Sequence, residues 1–322
     1  MPAQAVPFEV ARARAVALLD APRPLLVVSD FDGTLSAIHP DPLGARIEPL
    51  GKVALRRLAR IAAFRTDQVR VFVLSGRAAL DVASRVRVGG LHYLGNHGLE
   101  GGPLPGRVRA EQLAVALDER LLPYVAPARE LGKAVFERLG RPDWLYVEEK
   151  GPAVAFHFRA APDTGMARQL IEDAVLAVQA ATGPMGLVRM DGRMVLEFRP
   201  AEAGGKGRAT ERLLERERPA AVLALGDDVS DAEAFRAIAA ERAAGQVAAS
   251  LCVAVHGALE TPPAVIEAAD IVLPTPHDAA RLLSAVGHQL QRRLAPELPW
   301  MAGRSGGRRQ RRPTREPAAP LV

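Results

Sequence analysis

Residues 25–36 read LLVVSDFDGTLS. The opening run is apolar without alternation, the pattern of a parallel strand buried on both faces, and it stops abruptly at Ser29 and Asp30. Similar runs ending at polar residues or glycine recur at 69–74, 221–225, 251–255 and 271–273. Between them lie helical patterns over 53–63, 78–86, 207–216, 231–243 and 278–293. Strands alternating with helices predict an α/β fold, a doubly wound, Rossmann-like parallel sheet with helices on both faces. In such sheets functional groups gather where strands end, so Asp30 and Asp32 are expected to project into a binding crevice.

The alternation breaks between about 103 and 199. Helical patterns at 110–122 and 128–139 are followed there by paired strands, a helix at 164–181 and paired strands again. This predicts an inserted α+β cap domain at 104–198, with the core formed by 1–103 and 199–301. Asp191-Gly192 is the short signal of a type I′ hairpin. In AVAFHFR, Val154, Phe156 and Phe158 fall on one face and His157 and Arg159 on the other. The next hairpin repeats this, with Met194, Leu196 and Phe198 opposing Arg193, Glu197 and Arg199. The polar face reads either as a solvated sheet surface or as a substrate surface.

The 322 residues, 48% hydrophobic and 25% charged, suit a globular protein of two domains. The net charge of +5 resides in the tail, where six arginines face Glu316 alone after residue 301. The rest balances at 36 basic and 36 acidic residues, so the folded part gives no global signal for nucleic acid. Residues 302–322, rich in Gly, Pro and Arg, are expected to be disordered, either merely solvated or in weak contact with nucleic acid or an acidic surface. No apolar run reaches the length of a membrane span, and the N-terminus lacks the pattern of a secretion signal. A single cysteine, Cys252 in LCVAV, suits a reducing compartment. A cytoplasmic monomer is the expectation.

Four strings carry chemistry. In DFDGT, two carboxylates at i and i+2 can divide phosphoryl transfer: one attacks phosphorus while the other handles the leaving-group proton. Gly33 permits a tight bend there. A carboxylate facing a phosphate dianion needs a divalent cation. A bare D-x-D could also be a turn capping a helix; its place directly after a buried strand favours the functional reading. LSGR puts Ser75 and Gly76 at the next strand end, where a hydroxyl and an amide can meet phosphate oxygens. Lys206, in the glycine-rich EAGGKGRAT, can neutralise a transferring phosphoryl group or lie exposed in a loop. GDDVSD offers Asp227, Asp228 and Asp231, hard oxygen ligands suited to Mg²⁺; Asp231 could equally cap the helix that follows.

In order, DFDGT, SGR, GKG and GDDVSD resemble the four motifs of the haloacid dehalogenase-like phosphatases, over roughly 20–100 and 200–295. The resemblance implies Asp30 as nucleophile, Asp32 as acid/base, and Ser75, Gly76 and Lys206 as phosphate-binding. It implies Mg²⁺ on Asp30, the Asp32 carbonyl, Asp227 and Asp228, and makes the insertion a type 2 cap. GNHGLE, EKGPAVAFHFR and MVLEFRP narrow the similarity to the trehalose-6-phosphate phosphatases. By that likeness Lys150, His157, Arg159 and Glu197 of the cap, with Arg77 and His97, meet the sugar phosphate, although His97 could instead be structural. The chain departs from the family pattern at Gly205, where Asn is common, at Ser230 (Thr) and at Phe31 (Tyr). The implied reaction is hydrolysis of trehalose 6-phosphate through an aspartyl-phosphate. The alternatives are a phosphatase for sucrose, mannosyl-glycerate or glucosyl-glycerol phosphate, a phosphomutase, or a non-catalytic sugar-phosphate binder.

Overall fold

The computed structural model describes residues 3–22, 24–39, 42–192, 194–256 and 261–301; Arg193 and the expected tail at 302–322 lie outside them. In chain order the strands are β1 (Leu25–Ser29), β2 (Val69–Leu74), β3 (Leu91–Gly95), β4 (Glu100–Leu104), β5 (Ala116–Leu117), β6 (Tyr146–Glu149), β7 (Val154–His157), β8 (Leu187–Gly192), β9 (Val195–Pro200), β10 (Ala221–Gly226), β11 (Ala249–Val255) and β12 (Ile271–Leu273). The helices are α1 (Phe8–Ala17), α2 (Pro49–Ala62), α3 (Ala79–Val86), α4 (Val125–Arg138), α5 (Thr164–Thr182), α6 (Lys206–Glu217), α7 (Val229–Ala243), α8 (Pro263–Ala268) and α9 (Pro276–Arg293).

The large sheet has the order β12-β11-β10-β1-β2-β3-β4-β5. It is parallel from β12 to β3 and antiparallel at β4 and β5. β1 and β10 are buried at every position because helices cover both faces. Leu55 and Leu58 of α2 and Leu282 and Leu283 of α9 pack on one side, together with Ala11 and Ala15 of α1. Leu213 of α6 and Phe235 and Ile238 of α7 pack on the other.

The second sheet, β6-β7-β9-β8, is antiparallel. One of its faces is apolar: Val154, Phe156, Leu196 and Phe198 form a core with Leu131 of α4 and Ile171 of α5. Two local expectations change. Gly192 pairs with Val195, so Asp191 and Gly192 belong to β8 and the hairpin turns one step later. Met194 is consequently a turn residue with φ 59° and 36% exposed, not a member of the packed face. Residues 110–122 do not form one helix. They form short 3₁₀ turns at Ala110–Gln112 and Glu119–Tyr124 around β5. β5 pairs with the open edge of β4, so the large sheet holds the chain as far as Leu117, past the boundary drawn at residue 103.

Candidate active site

β1 and β10 are neighbours in parallel register, with Ser29 opposite Leu225, and the loops that follow them leave the sheet side by side. The Asp30 amide donates to the Leu225 carbonyl at 3.0 Å. Gly33 has φ 79°, and a Cβ there would overlap the Asp227 carboxylate; only glycine lets the DFDGT loop lie against the GDD loop. The Thr34 hydroxyl donates to Asp227 Oδ1 at 3.1 Å and fixes that contact.

Lys206 opens α6 and is buried. Its Nζ donates to Asp30 Oδ1 at 2.6 Å and to Asp231 Oδ1 at 2.8 Å. An ammonium out of water persists only when paired in this way. Burial opposes its charge, but Asp231 and Asp30 outweigh burial and hold it well above its ordinary pKa. Burial lifts the Asp30 carboxyl well above the carboxylate range; Lys206 opposes this, while Asp231 and Asp227 add to it. Burial, with Asp231 and Asp228 nearby, pushes Asp227 up to about 7. Asp30, Asp227 and Asp231 each place an oxygen within 4.8 Å of the others. One lysine does not balance these acids, and the donor set, all hard oxygen, fits a divalent cation.

Asp228 and Asp231 divide their work differently from the expectation. Asp228 is the N-cap of α7, and its Oδ1 accepts from the Ser230 amide at 2.8 Å and hydroxyl at 2.7 Å. It therefore stands outside the three-carboxylate cluster, and Asp231 stands in it. Asp231 completes the capping box as well, its Oδ2 accepting from the amides of Asp227 at 3.1 Å and Asp228 at 3.2 Å. Ser230 supplies the hydroxyl that a threonine would, so that departure leaves the cap intact. Gly205 leaves space that Glu233 occupies: a Cβ there would overlap Glu233 Oε2. Phe31 is fully buried in the core.

Ser75 is buried at the end of β2, and its Oγ accepts from the Arg77 amide at 3.2 Å. A Cβ on Gly76 would lie 2.9 Å from His97 Cε1. His97 adopts φ 58°, and its amide donates to the Ser75 carbonyl at 2.9 Å. Its Nδ1 is buried without a hydrogen-bond partner among the described residues. Burial, reinforced by Lys206, lowers its pKa to about 4 and keeps the ring neutral. Arg77 holds Asp32 and Asp81.

The polar face of the second sheet looks onto these loops. Pairing sets Tyr146 beside His157 and Ala155 beside Glu197, so alternate residues share that face. Lys150 Nζ donates to Glu197 Oε2 at 3.0 Å, and Glu148 Oε2 lies 2.9 Å from His157 Nε2. Burial opposes the charge of Glu197, but Lys150, His97 and Arg199 together hold it below its ordinary pKa. Two cavities of about 720 and 650 Å³ share His97, Lys150 and His157, and every predicted site residue lines one or the other. Exposed Arg159 sits at the mouth, beyond β7. The sequence reading missed Thr34, Glu148 and the pairing of Asp231 with Lys206. Glu148 had a signal, since it lies two residues before Lys150 at the strand period; Thr34 sat inside DFDGT.

A family model described as trehalose-phosphatase matches residues 28–258. The trehalose-phosphate phosphatase of Mycobacterium marinum is 35% identical over 225 residues, 68% of this chain and 53% of that protein. The chain thus spans about half the length of that relative. Among solved structures, the trehalose-6-phosphate phosphatase of Aspergillus fumigatus has a TM-score of 0.58 at 21% identity, covering 89% of this chain and 99% of that one. The C-terminal domain of the Candida albicans enzyme has a TM-score of 0.62 at 18% identity, covering 89% and 98%. At these identities the two structures show a shared fold.

Proposed function

The chain belongs to the trehalose-phosphatase family, and we propose that it hydrolyses trehalose 6-phosphate to trehalose and inorganic phosphate through a phosphorylated Asp30. The observation that supports this best is Lys206 bridging Asp30 and Asp231 at the floor of a cleft whose roof carries the Lys150–Glu197 pair. A phosphate entering beside Asp30 meets Lys206 and the Ser75–Gly76 turn. A disaccharide attached to it reaches a roof of paired hydrogen-bond donors and acceptors.

An Asp30 carboxylate oxygen attacks phosphorus, the bond to the sugar oxygen breaks, and Asp32 gives that oxygen its proton. Asp32 then takes a proton from a water, whose oxygen attacks the phosphorus of the aspartyl-phosphate. Phosphate leaves and the Asp30 carboxylate is restored. Lys206 keeps its proton throughout, balancing charge on Asp30 and on the phosphoryl oxygens. Asp30, Asp227 and Asp231 would hold Mg²⁺, which when bound supplies the positive charge that lets a carboxylate and a phosphate dianion approach. We assign the cytoplasm as location, in keeping with a lone, buried thiol at Cys252.

The test is release of inorganic phosphate from trehalose 6-phosphate and from sucrose, mannosyl-glycerate and glucosyl-glycerol phosphates, with and without Mg²⁺. Trehalose 6-phosphate should be turned over fastest, and comparable rates across the panel would defeat the substrate assignment. Asp30→Asn should abolish release with its far-UV spectrum unchanged; turnover retained in that variant removes Asp30 as nucleophile.

A further inference from the structure

A further cavity, of about 490 Å³, is lined by Arg56, Arg57, Arg60, Gln291, Trp300 and Met301. It is remote from the catalytic cleft. α2 descends from the carboxyl edge of the sheet, where β1 ends, to the amino edge, where β2 begins, and the three arginines occupy its second half. Among the described residues, no carboxylate lines the cavity.

Arg60 lies in the last turn of α2, where a cation offsets the helix dipole, and its guanidinium stacks 4.0 Å from the Trp300 ring centroid. Arg56 and Arg57 lie further in and gain little from that dipole. Arg57 Nε donates to Gln291 Oε1 at 3.1 Å, yet its Nη1 is buried without a hydrogen-bond partner among the described residues. A buried donor left unmade is costly, and a charged one more so. Burial lowers the Arg57 pKa with no acid opposing it. His288 is lowered by burial and by Arg57, and Lys52 by burial and by Arg56. The described side chains that line the cavity thus carry a net positive charge.

We propose that this cavity binds a phosphorylated small molecule carrying at least two negative charges, separately from the catalytic site. Guanidinium forks match phosphate oxygens in pairs, and three of them line this cavity. Trp300 forms one wall and reports occupancy.

Trp144 and Trp300 are the chain's two tryptophans, so the full chain carrying Trp144→Phe reads the cavity by fluorescence alone. Titration with pyrophosphate should give a saturable change, tighter than that with orthophosphate and weakened by salt. Arg56→Gln/Arg57→Gln in the same background should raise the pyrophosphate Kd at least about tenfold. Its far-UV spectrum and phosphatase turnover should be unchanged, and Arg56→Gln alone, at an exposed position, should act in the same direction should the double variant misfold. No saturable change up to about 10 mM pyrophosphate overturns the proposal. So does an unaltered Kd in folded arginine variants.

Discussion

Arg77 grips both carboxylate oxygens of Asp32, Nε lying 2.6 Å from Oδ2 and Nη2 2.9 Å from Oδ1. Its third nitrogen, Nη1, reaches Asp81 Oδ2 at 3.0 Å, and Arg85 holds Asp81 in turn. A planar fork fixes the plane of the carboxylate it holds. In the proposed reaction Asp32 exchanges a proton at a defined oxygen, so Arg77 acts by aiming it.

Arg77→Ala is therefore expected to lower kcat by about 10²-fold, the scale of general acid–base catalysis, with a smaller change in KM. Arg77→Lys should recover only part of kcat, because one ammonium cannot hold two oxygens in a plane. Steady-state kinetics on both variants decides it: a KM effect with unchanged kcat would return Arg77 to the substrate-contact role suggested by sequence.

Gly33 and Gly183 have nearly the same backbone angle, φ 79° and 85°, in opposite surroundings. A Cβ on Gly183 meets nothing within 4 Å, while one on Gly33 collides with Asp227. Gly183→Ala, at φ 85° and ψ 174°, should cost about 1–3 kcal/mol of backbone strain and leave turnover intact. Gly33→Ala should cost at least as much and also abolish turnover by displacing Asp227. Thermal unfolding and phosphate release on the two variants check the contrast, and an active Gly33→Ala enzyme would contradict it.

Removing Lys206 leaves Asp30 and Asp231 buried with no cation between them. Lys206→Met is expected to destabilise the chain by about 3–5 kcal/mol, the usual cost of breaking a buried pair from one side. Adding Asp30→Asn and Asp231→Asn should restore part of that loss while the enzyme stays inactive. Denaturant titration gives the numbers, and a single variant as stable as the parent would show that the pairs contribute no net stability.

His97 should set part of the acid limb of stability. Its pKa is lowered from 6.5 to about 4 in the fold. Between those values the unfolded chain binds a proton that the folded chain refuses, so stability falls as pH drops through 6.5 and stops falling below about 4. The full effect is at most about 3 kcal/mol. In His97→Gln the difference in unfolding free energy between pH 7 and pH 4 should shrink accordingly; an unchanged difference would place the ring in water.

β1, β2, β10, β11 and β12 were legible because burial on both faces leaves an uninterrupted apolar run, and α2, α3, α6, α7 and α9 because half-burial leaves a 3.6-residue period. α1 was missed because only Ala11 and Ala15 of its ten residues are buried, too little to print a period. The helix expected at 110–122 failed because the edge of β4 recruits Ala116 and Leu117, a demand made by a distant strand. At the site, each carboxylate was legible at a strand end, but its partner was not. Asp228 and Asp231 are three residues apart on one turn, and only the direction of each side chain decides which one caps the helix and which one meets Lys206. The Arg77–Asp32 fork spans 45 residues and depends on the register of β1 against β2, which no local pattern encodes.

β1 lies between β2 and β10 in the sheet, and β10 begins 196 positions after β1 does. In a growing chain one edge of β1 has no partner until residues 221–226 are made. By then α4, α5 and all four strands of the smaller sheet have already been synthesised. The smaller domain can fold around its own core while the larger one waits, an order that follows from domains folding as units. Asp30 is synthesised well before the residues it works with in the core, Lys206, Asp227 and Asp231. In the proposed reaction, catalytic competence is thus gained only after the domain that carries the Lys150–Glu197 pair has been made.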